Sequence, residues 1–265
     1  MSPLIGIDEL TRRFVSVKVF DLRWSLTDPG HGRDAYQRGH IPGAVFVDLD
    51  VDLAASEGDG RHPLPPISDF VATLGRLGIE RHEEIVIYDD MAGAVAARMW
   101  WMLESIGHVG ARVLDGGLVA WVDEGYPLQT GQVTPTATTY PEVPGYTGVV
   151  RYDQLEGRAL ADVRATERYQ GEFEPIDPKA GHIPGASSYP LALNLSGSRF
   201  LAATALADVY RDFPQDGVVS CGSGVNACHA ALAMVIAGRP MPDVYIGSFS
   251  DWSRRDLPVH TGPEP

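Results

Sequence analysis

The stretch Val218-Val219-Ser220-Cys221-Gly222-Ser223-Gly224-Val225-Asn226-Ala227-Cys228, followed by the apolar run from Ala230 to Ala237, decides how the rest of the chain is read. Two β-branched residues and a serine lead to a cysteine, two glycines bracket a second serine, and a helical pattern begins at once. Glycine reaches backbone conformations that other residues resist, and it lets main-chain N–H groups crowd together. A strand, a glycine-rich turn and a helix N-terminus therefore make a cradle whose amide dipoles point inward. Such a cradle stabilises a thiolate at its mouth. Taken alone, Cys221 would be a buried thiol at a strand end. Between these glycines and before this helix it reads as a nucleophile.

Outward from this stretch, the chain alternates strand and helix patterns. Phe14 to Asp21 reads as a strand ending on an acidic residue, and Tyr36 to Gly39 as a helix end. His40-Ile41-Pro42-Gly43-Ala44 is a tight turn into the strand Val45 to Val47, and Asp50 to Pro66 reads as a long polar loop. A helix over Phe70 to Leu77, a strand over Glu84 to Tyr88, a helix over Ala94 to Ile106 and a strand and turn at Val113 to Gly117 follow. The second half replays the first. Leu160-Ala161-Asp162 answers the strand ending at Asp21, Gly181 to Ala186 repeats Gly39 to Ala44, and Tyr245 to Trp252 answers Leu114 to Trp121. Two similar α/β domains follow, each with a mainly parallel sheet flanked by helices. The boundaries are 1–126 and 149–265. Between them 127–148, rich in Pro steps and without periodicity, reads as a linker.

The net charge is −14, and Lys18 and Lys179 are the only lysines. A chain this acidic is a poor binder of nucleic acid and of anionic lipid. No apolar run approaches the ~20 residues of a membrane helix, and Met1 to Leu10 lacks the form of a signal peptide. The two cysteines, Cys221 and Cys228, are too far apart along a helix to bridge and lack metal-ligand spacing. Free thiols and a cytoplasmic location are expected, with no metal site.

The doubled Gly-His-Ile-Pro-Gly-Ala motif, the Cys221-Gly222-Ser223-Gly224-Val225 loop and the ending Gly247-Ser248-Phe249-Ser250-Asp251-Trp252 resemble the tandem-domain rhodanese sulfurtransferases. Within that family the loop is closer to the 3-mercaptopyruvate type than to the thiosulfate type, which usually carries basic residues after the cysteine. The resemblance implies two rhodanese-like domains, the first without a nucleophile, because the matching strand end there reads Tyr88-Asp89-Asp90. It implies that Cys221 carries a persulfide, with Gly222, Gly224, Val225, Asn226 and Ala227 supplying the amide cradle. It assigns Ser223, His62 and Asp50 to catalysis and Arg168 to the donor's anionic group. The family's second arginine has no counterpart in Phe173-Glu174-Pro175-Ile176-Asp177-Pro178-Lys179, where Lys179 is the available cation. Asn226 stands where threonine is usual. Cys228 is expected to be structural, and His40 and His182 to be architectural, since both domains have one.

The resemblance further implies a small anionic sulfur donor, 3-mercaptopyruvate or thiosulfate, an acceptor such as cyanide, a thiol or a thioredoxin-like protein, and no cofactor beyond the persulfide itself. Three readings compete: a thiosulfate-specific enzyme, a non-catalytic sulfur carrier and a cysteine phosphatase. The phosphatase needs an arginine at the position that Ala227 fills. A cysteine protease lacks its histidine surroundings here.

Overall fold

The computed structural model describes residues 2–265 and divides into two compact units. Among the described residues, unit 1 comprises 2–54, 65–147 and 196–200, and unit 2 comprises 55–64, 148–195 and 201–265. Each unit therefore takes a short piece of chain from the other half of the sequence. The piece 55–64, inside the stretch expected to be a polar loop, belongs to unit 2. The stretch 127–147 runs with unit 1, tied by backbone bonds between Gln129 and His40, Thr138 and Gly75, and Thr147 and Ser105.

Unit 1 holds β1 (Leu4–Ile5), β2 (Lys18–Asp21), β3 (Val45–Phe46), β4 (Ile85–Tyr88) and β5 (Ala111–Leu114), in the spatial order β1-β5-β4-β2-β3. Unit 2 holds β6 (Val149–Val150), β7 (Leu160–Asp162) and β8 (Ala186–Ser188). The chain then forms a two-stranded hairpin, β9 (Leu195–Ser196) with β10 (Arg199–Phe200), and returns as β11 (Val218–Ser220) and β12 (Asp243–Tyr245). The unit 2 sheet has the order β6-β12-β11-β7-β8, the same permutation as unit 1. Every pairing in both sheets is parallel. The central strands read Ile-Val-Ile-Tyr and Val-Val-Ser and are buried throughout, as parallel strands covered on both faces must be.

The flanking helices of unit 1 are α1 (Ile7–Arg13), α2 (His31–Arg38), α3 (Leu49–Asp52), α4 (Ile67–Arg76), α5 (Ala96–Ser105) and α6 (Gly117–Asp123). Those of unit 2 are α7 (Thr166–Gln170), α8 (Ala203–Val209), α9 (Val225–Ile236) and α10 (Ser248–Trp252). No helix among the described residues is long and apolar enough to cross a membrane.

Two local expectations need correction, and one segment carries no reading. The strand expected over Phe14 to Asp21 begins only at Lys18; the residues before it finish α1 and a turn in which Ser16 N–H donates to the Arg13 carbonyl. Val15 is fully exposed while Phe14 and Val17 pack against the core, so burial there does not follow the alternation of a strand. The sheet edge β1 and helix α1 lie in a segment with too few residues for a periodic signal. Finally, Asp50 sits in the one-turn helix α3 rather than in a loop, because Asp48 caps it by accepting the Asp50 N–H at 3.1 Å.

The repeat is physical as well as sequential. Asp21 and Asp162 end matching strands, fully buried, and each takes a forked bond from the arginine two residues on, Arg23 or Arg164. That arginine also donates to the carbonyl of Gly39 or Gly181, so each buried charge pair is hydrogen-bonded on both sides. His40 and His182 stack on Tyr36 and Tyr169 at 4.0 and 3.8 Å, each ring Nδ1 paired with the tyrosine's own carbonyl. Both imidazoles are parts of the turn architecture.

Candidate active site

Cys221 sits at the C-terminal end of β11, next to the end of β7, where the chain order of the sheet reverses. Open parallel sheets bind ligands at such a point. Its side chain is 2% exposed. Sγ accepts from the Gly224 N–H at 3.1 Å and the Ser223 N–H at 3.4 Å. The loop's carbonyls are occupied elsewhere: Phe249 N–H donates to Cys221 O at 3.0 Å and Ser250 N–H to Gly222 O at 2.9 Å. Pinning the carbonyls outward to α10 leaves the amides facing the sulfur. Gly224 holds φ +79°, and a Cβ there would lie 2.3 Å from the Ile246 carbonyl oxygen, so only glycine fits. Val225, Asn226 and Ala227 form the first turn of α9, whose amides have no helical partner.

Ser248 stands behind the sulfur. Its hydroxyl accepts from the Cys221 N–H at 3.1 Å, donates to the Tyr245 carbonyl at 2.8 Å, and lies 3.9 Å from Sγ. Ser248 does so at φ +53°, a conformation costly for a residue with a Cβ.

His62 arrives on the piece 55–64. Its Nδ1 is 2.8 Å from Ser223 Oγ, and the imidazole is 5% exposed. The piece is fixed by Ala55 N–H to Pro63 O at 3.0 Å, by Arg61 N–H to Ser250 Oγ at 2.9 Å, and by the Arg255–Asp59 ion pair at 2.9 Å. Gly60 passes so close to Gly247 that a Cβ would meet its carbonyl oxygen at 2.5 Å.

Arg168, on α7, is gripped by Glu174 through Nε at 3.0 Å and one terminal nitrogen at 2.8 Å; the same nitrogen reaches Asp177 at 3.0 Å. Burial alone would raise the Glu174 carboxyl, but the Arg168 bond and the N–H groups of Asp177 and Ile176 together hold it below its ordinary value. Arg61 donates to the other oxygen of Asp177 at 2.7 Å. A Cβ placed on Gly222 would lie 3.2 Å from one Arg61 terminal nitrogen and 3.4 Å from one of Arg168. Both guanidinium groups therefore border the residue that follows the cysteine.

Unit 2 thus gathers Cys221, Ser223, His62, Arg168 and the amides of residues 222–227. Asp50 lies in unit 1, where it accepts from the indole N–H of Trp24 at 2.8 Å. Lys179 donates to the carbonyls of Arg255 and Leu257 at 2.8 and 2.9 Å, so it holds backbone and takes no place beside Arg168. Cys228 is fully buried, its thiol donating to Gly224 O at 3.2 Å, and both cysteines are unbridged. No group of three or more His, Cys, Asp or Glu side chains among the described residues is arranged to hold a metal ion.

The rhodanese-like domain pattern matches residues 7–124 and again 151–255. The chain belongs to the rhodanese family. A Pseudomonas aeruginosa relative named "Probable 3-mercaptopyruvate sulfurtransferase" is 42% identical over 263 residues, covering 92% of each chain. The "Thiosulfate sulfurtransferase" of Rattus norvegicus is 31% identical over 259 residues, 92% of this chain and 87% of that protein. Among solved structures, the 3-mercaptopyruvate sulfurtransferase from Leishmania major superposes with a TM-score of 0.85 at 26% identity, covering 96% of this chain and 75% of that one.

Within this rhodanese pair, unit 1 shows what became of the matching cradle. Asp89 follows β4 as Cys221 follows β11, and its buried carboxylate accepts from the N–H groups of Met91, Gly93, Val95 and Ala96 at 2.7–2.8 Å. Burial raises the Asp89 carboxyl and the four amides oppose that rise. Gly117, at φ +54°, takes the place of Ser248, and a Cβ there would strike Asp89 O at 2.3 Å. The first rhodanese copy has filled its own anion site with its own side chain.

Two site residues had no assigned role in the sequence. Arg61 adjoins His62 and needed only the inference that a positioned histidine carries its neighbour with it. Ser248 lies within the closing motif, and the signal was its counterpart Gly117, which says that the position demands a left-handed backbone.

Proposed function

We propose that this chain is a sulfurtransferase that moves a sulfur atom from 3-mercaptopyruvate, or from thiosulfate, to a thiophilic acceptor through a persulfide on Cys221. The observation that carries the reading is the sulfur held by two converging amides with the Ser223–His62 pair 2.8 Å apart beside it. Cys221 as thiolate attacks the donor's sulfur and forms the S–S bond. With mercaptopyruvate the C–S bond breaks, its electron pair leaves on carbon as the enolate of pyruvate, and a proton must reach that carbon. The Ser223–His62 pair is placed to take the donor's thiol proton and return it. With thiosulfate the S–S bond breaks and sulfite departs with the electron pair, so no such proton is needed. The acceptor then attacks the outer sulfur and restores the thiolate.

The amides of residues 222–227 would hold the charge on the inner and then the outer sulfur, and Arg168 the donor's anionic group. For Asp50, in unit 1, the support is the family resemblance. Cyanide, a small thiol or a thioredoxin-like protein would serve as acceptor, and the persulfide replaces any cofactor. Two free thiols support a reducing, cytoplasmic setting, and the net charge of −14 supports partners other than nucleic acid or anionic membrane. Initial rates with the two donors at equal concentration test the donor assignment. Faster turnover of mercaptopyruvate is expected; a large thiosulfate preference would overturn it.

A further inference from the structure

His62 stands on no helix or strand, so its place beside Ser223 depends on what holds residues 55–64 within unit 2. The holder is α10 and the turn that follows it. α10 fixes the cysteine loop through Phe249 N–H to Cys221 O and Ser250 N–H to Gly222 O, and its Ser250 Oγ accepts from the Arg61 N–H. One short helix thus sets both partners of the Ser223–His62 bond. Arg255, three residues past Trp252, adds a side-chain tie. It donates through Nε to Asp251 at 2.8 Å and through one terminal nitrogen to Asp59 at 2.9 Å. Asp251 is buried and also accepts the Tyr245 hydroxyl at 2.6 Å, while the Arg255 guanidinium lies 3.7 Å over the Tyr152 ring. Arg255 is therefore the anchored end of the tie. Asp59, half exposed and three residues before His62, is the end on the loop.

An isolated ion pair at a surface contributes little. This one recurs. Residues 196–200 join unit 1 as 55–64 join unit 2. Arg199 donates to Glu124 at 2.6 Å, and Glu124 stands three residues past Trp121 as Arg255 stands three past Trp252. Phe200 N–H donates to Asp115 Oδ1 at 2.9 Å where Arg61 N–H donates to Ser250 Oγ. Arg199 packs on Gly116 where Gly60 packs on Gly247. The tie appears at the same step of both repeats with its charges exchanged, so what is kept is the tie and not the residue types. In each unit the tied piece presses a side chain onto the loop after the central strand. Phe200 lies against Gly93 in unit 1, and His62 against Ser223 in unit 2.

We propose that Arg255 is a positioning residue for the donor step: through Asp59 it sets residues 55–64 and so keeps His62 Nδ1 on Ser223 Oγ. The inference rests on the reading of His62 as the proton shuttle for mercaptopyruvate. Its test is kcat with 3-mercaptopyruvate and with thiosulfate for Asp59→Lys, Asp59→Glu, Arg255→Gln and the combined Asp59→Lys/Arg255→Gln protein. Beside it runs the rate of cleavage after Arg61 by an arginine-specific protease, read by mass. Asp59→Lys sets one cation against another and pushes the piece off α10. A misplacement of about 1 Å can cost about 10²-fold, and the Ser250 and Gly247 ties remain, so kcat with mercaptopyruvate should fall about tenfold. Thiosulfate turnover should stay within about twofold, since sulfite leaves without a proton. Cleavage after Arg61 should be at least about fivefold faster, because opening exposes the loop. Asp59→Glu keeps the charge on a half-exposed loop and should stay within about twofold of the parent in every readout. On the Arg255→Gln background, Asp59→Lys should cost less than about twofold more, because the partner is gone.

His62→Ala, measured alongside, separates the two claims. If it slows mercaptopyruvate alone, three results would overturn the role of Arg255: parent-like mercaptopyruvate turnover in Asp59→Lys, an equal fall with both donors, or an undiminished effect of Asp59→Lys without Arg255. If His62→Ala slows both donors alike, the shuttle reading fails, and cleavage after Arg61 alone decides whether Arg255 holds the piece. Should Asp59→Lys not fold, Asp59→Asn carries the same comparison with a smaller loss, about threefold.

Discussion

Gly224→Ala tests whether the amide cradle performs the chemistry, and a control for it lies in the same unit. Gly224 and Gly185 have nearly the same backbone, φ +79° and +82°. An added methyl at Gly185 meets nothing within 4 Å, whereas at Gly224 it would lie 2.3 Å from the Ile246 carbonyl oxygen. Both substitutions therefore carry the cost of a left-handed alanine, about 1–2 kcal/mol. Gly224→Ala must in addition shift the loop by about 1 Å to restore ordinary contact. That shift draws away the N–H that reaches Sγ at 3.1 Å, leaving the weaker contact from Ser223 at 3.4 Å. Losing one donor to a developing charge costs about 10²–10³ in rate, and with its neighbour still present the lower end, about 10²-fold, is expected. The assay is the rate of persulfide formation alongside urea denaturation for both variants. If Gly224→Ala forms persulfide as fast as Gly185→Ala, the amides are scaffolding only and the reasoning is refuted.

Other outcomes follow from the same contacts. His62→Ala should depress turnover with mercaptopyruvate about 10²-fold while largely sparing thiosulfate, whose sulfite leaves without a proton; equal losses would remove the proton shuttle. Asp89→Asn places an amide NH₂ where Val95 and Ala96 donate, orphaning two buried N–H groups at about 1–3 kcal/mol each, so a loss of about 2–6 kcal/mol is expected in urea denaturation. A stability equal to the parent would show that the cradle of unit 1 needs no anion. Because the folded Glu174 carboxyl lies below its ordinary 4.5, its contribution is fully present above that pH and fades as pH falls through the folded value. Glu174→Gln should therefore be less stable than the parent at neutral pH, with a gap that closes in acid; urea midpoints across a pH series that show a constant gap would contradict this.

Much of this molecule was legible because its signals are local. The apolar runs at Ile85–Tyr88 and Val218–Ser220, the doubled His-Ile-Pro-Gly turn and the glycines around Cys221 each carry their own backbone requirement, and the repeat doubled every inference. What stayed hidden depends on partners distant in sequence. The edge strand Leu4–Ile5 is too short for periodicity and is defined by pairing with Val113 and Leu114. Residues 55–64 look like polar loop, and nothing local says that they join unit 2 and bring Arg61 to Asp177. The role open to Lys179 closed for a similar reason, since the carbonyls that hold it belong to Arg255 and Leu257. Phe14 to Val17 misled in the opposite direction, because a helix end and turn partly bury Phe14 and Val17 and leave Val15 exposed, a pattern that reads as strand in sequence.

The central claim is that one sulfur, held by amides at the end of β11, accepts and stores a second. Intact-protein mass spectrometry after brief exposure to 3-mercaptopyruvate addresses it without reference to any acceptor. The protein should gain the mass of one sulfur atom, lose it on addition of cyanide, gain it still as Cys228→Ser, and gain nothing as Cys221→Ser. A sulfur adduct that survives in Cys221→Ser, or no adduct in the parent with either donor, would contradict the account.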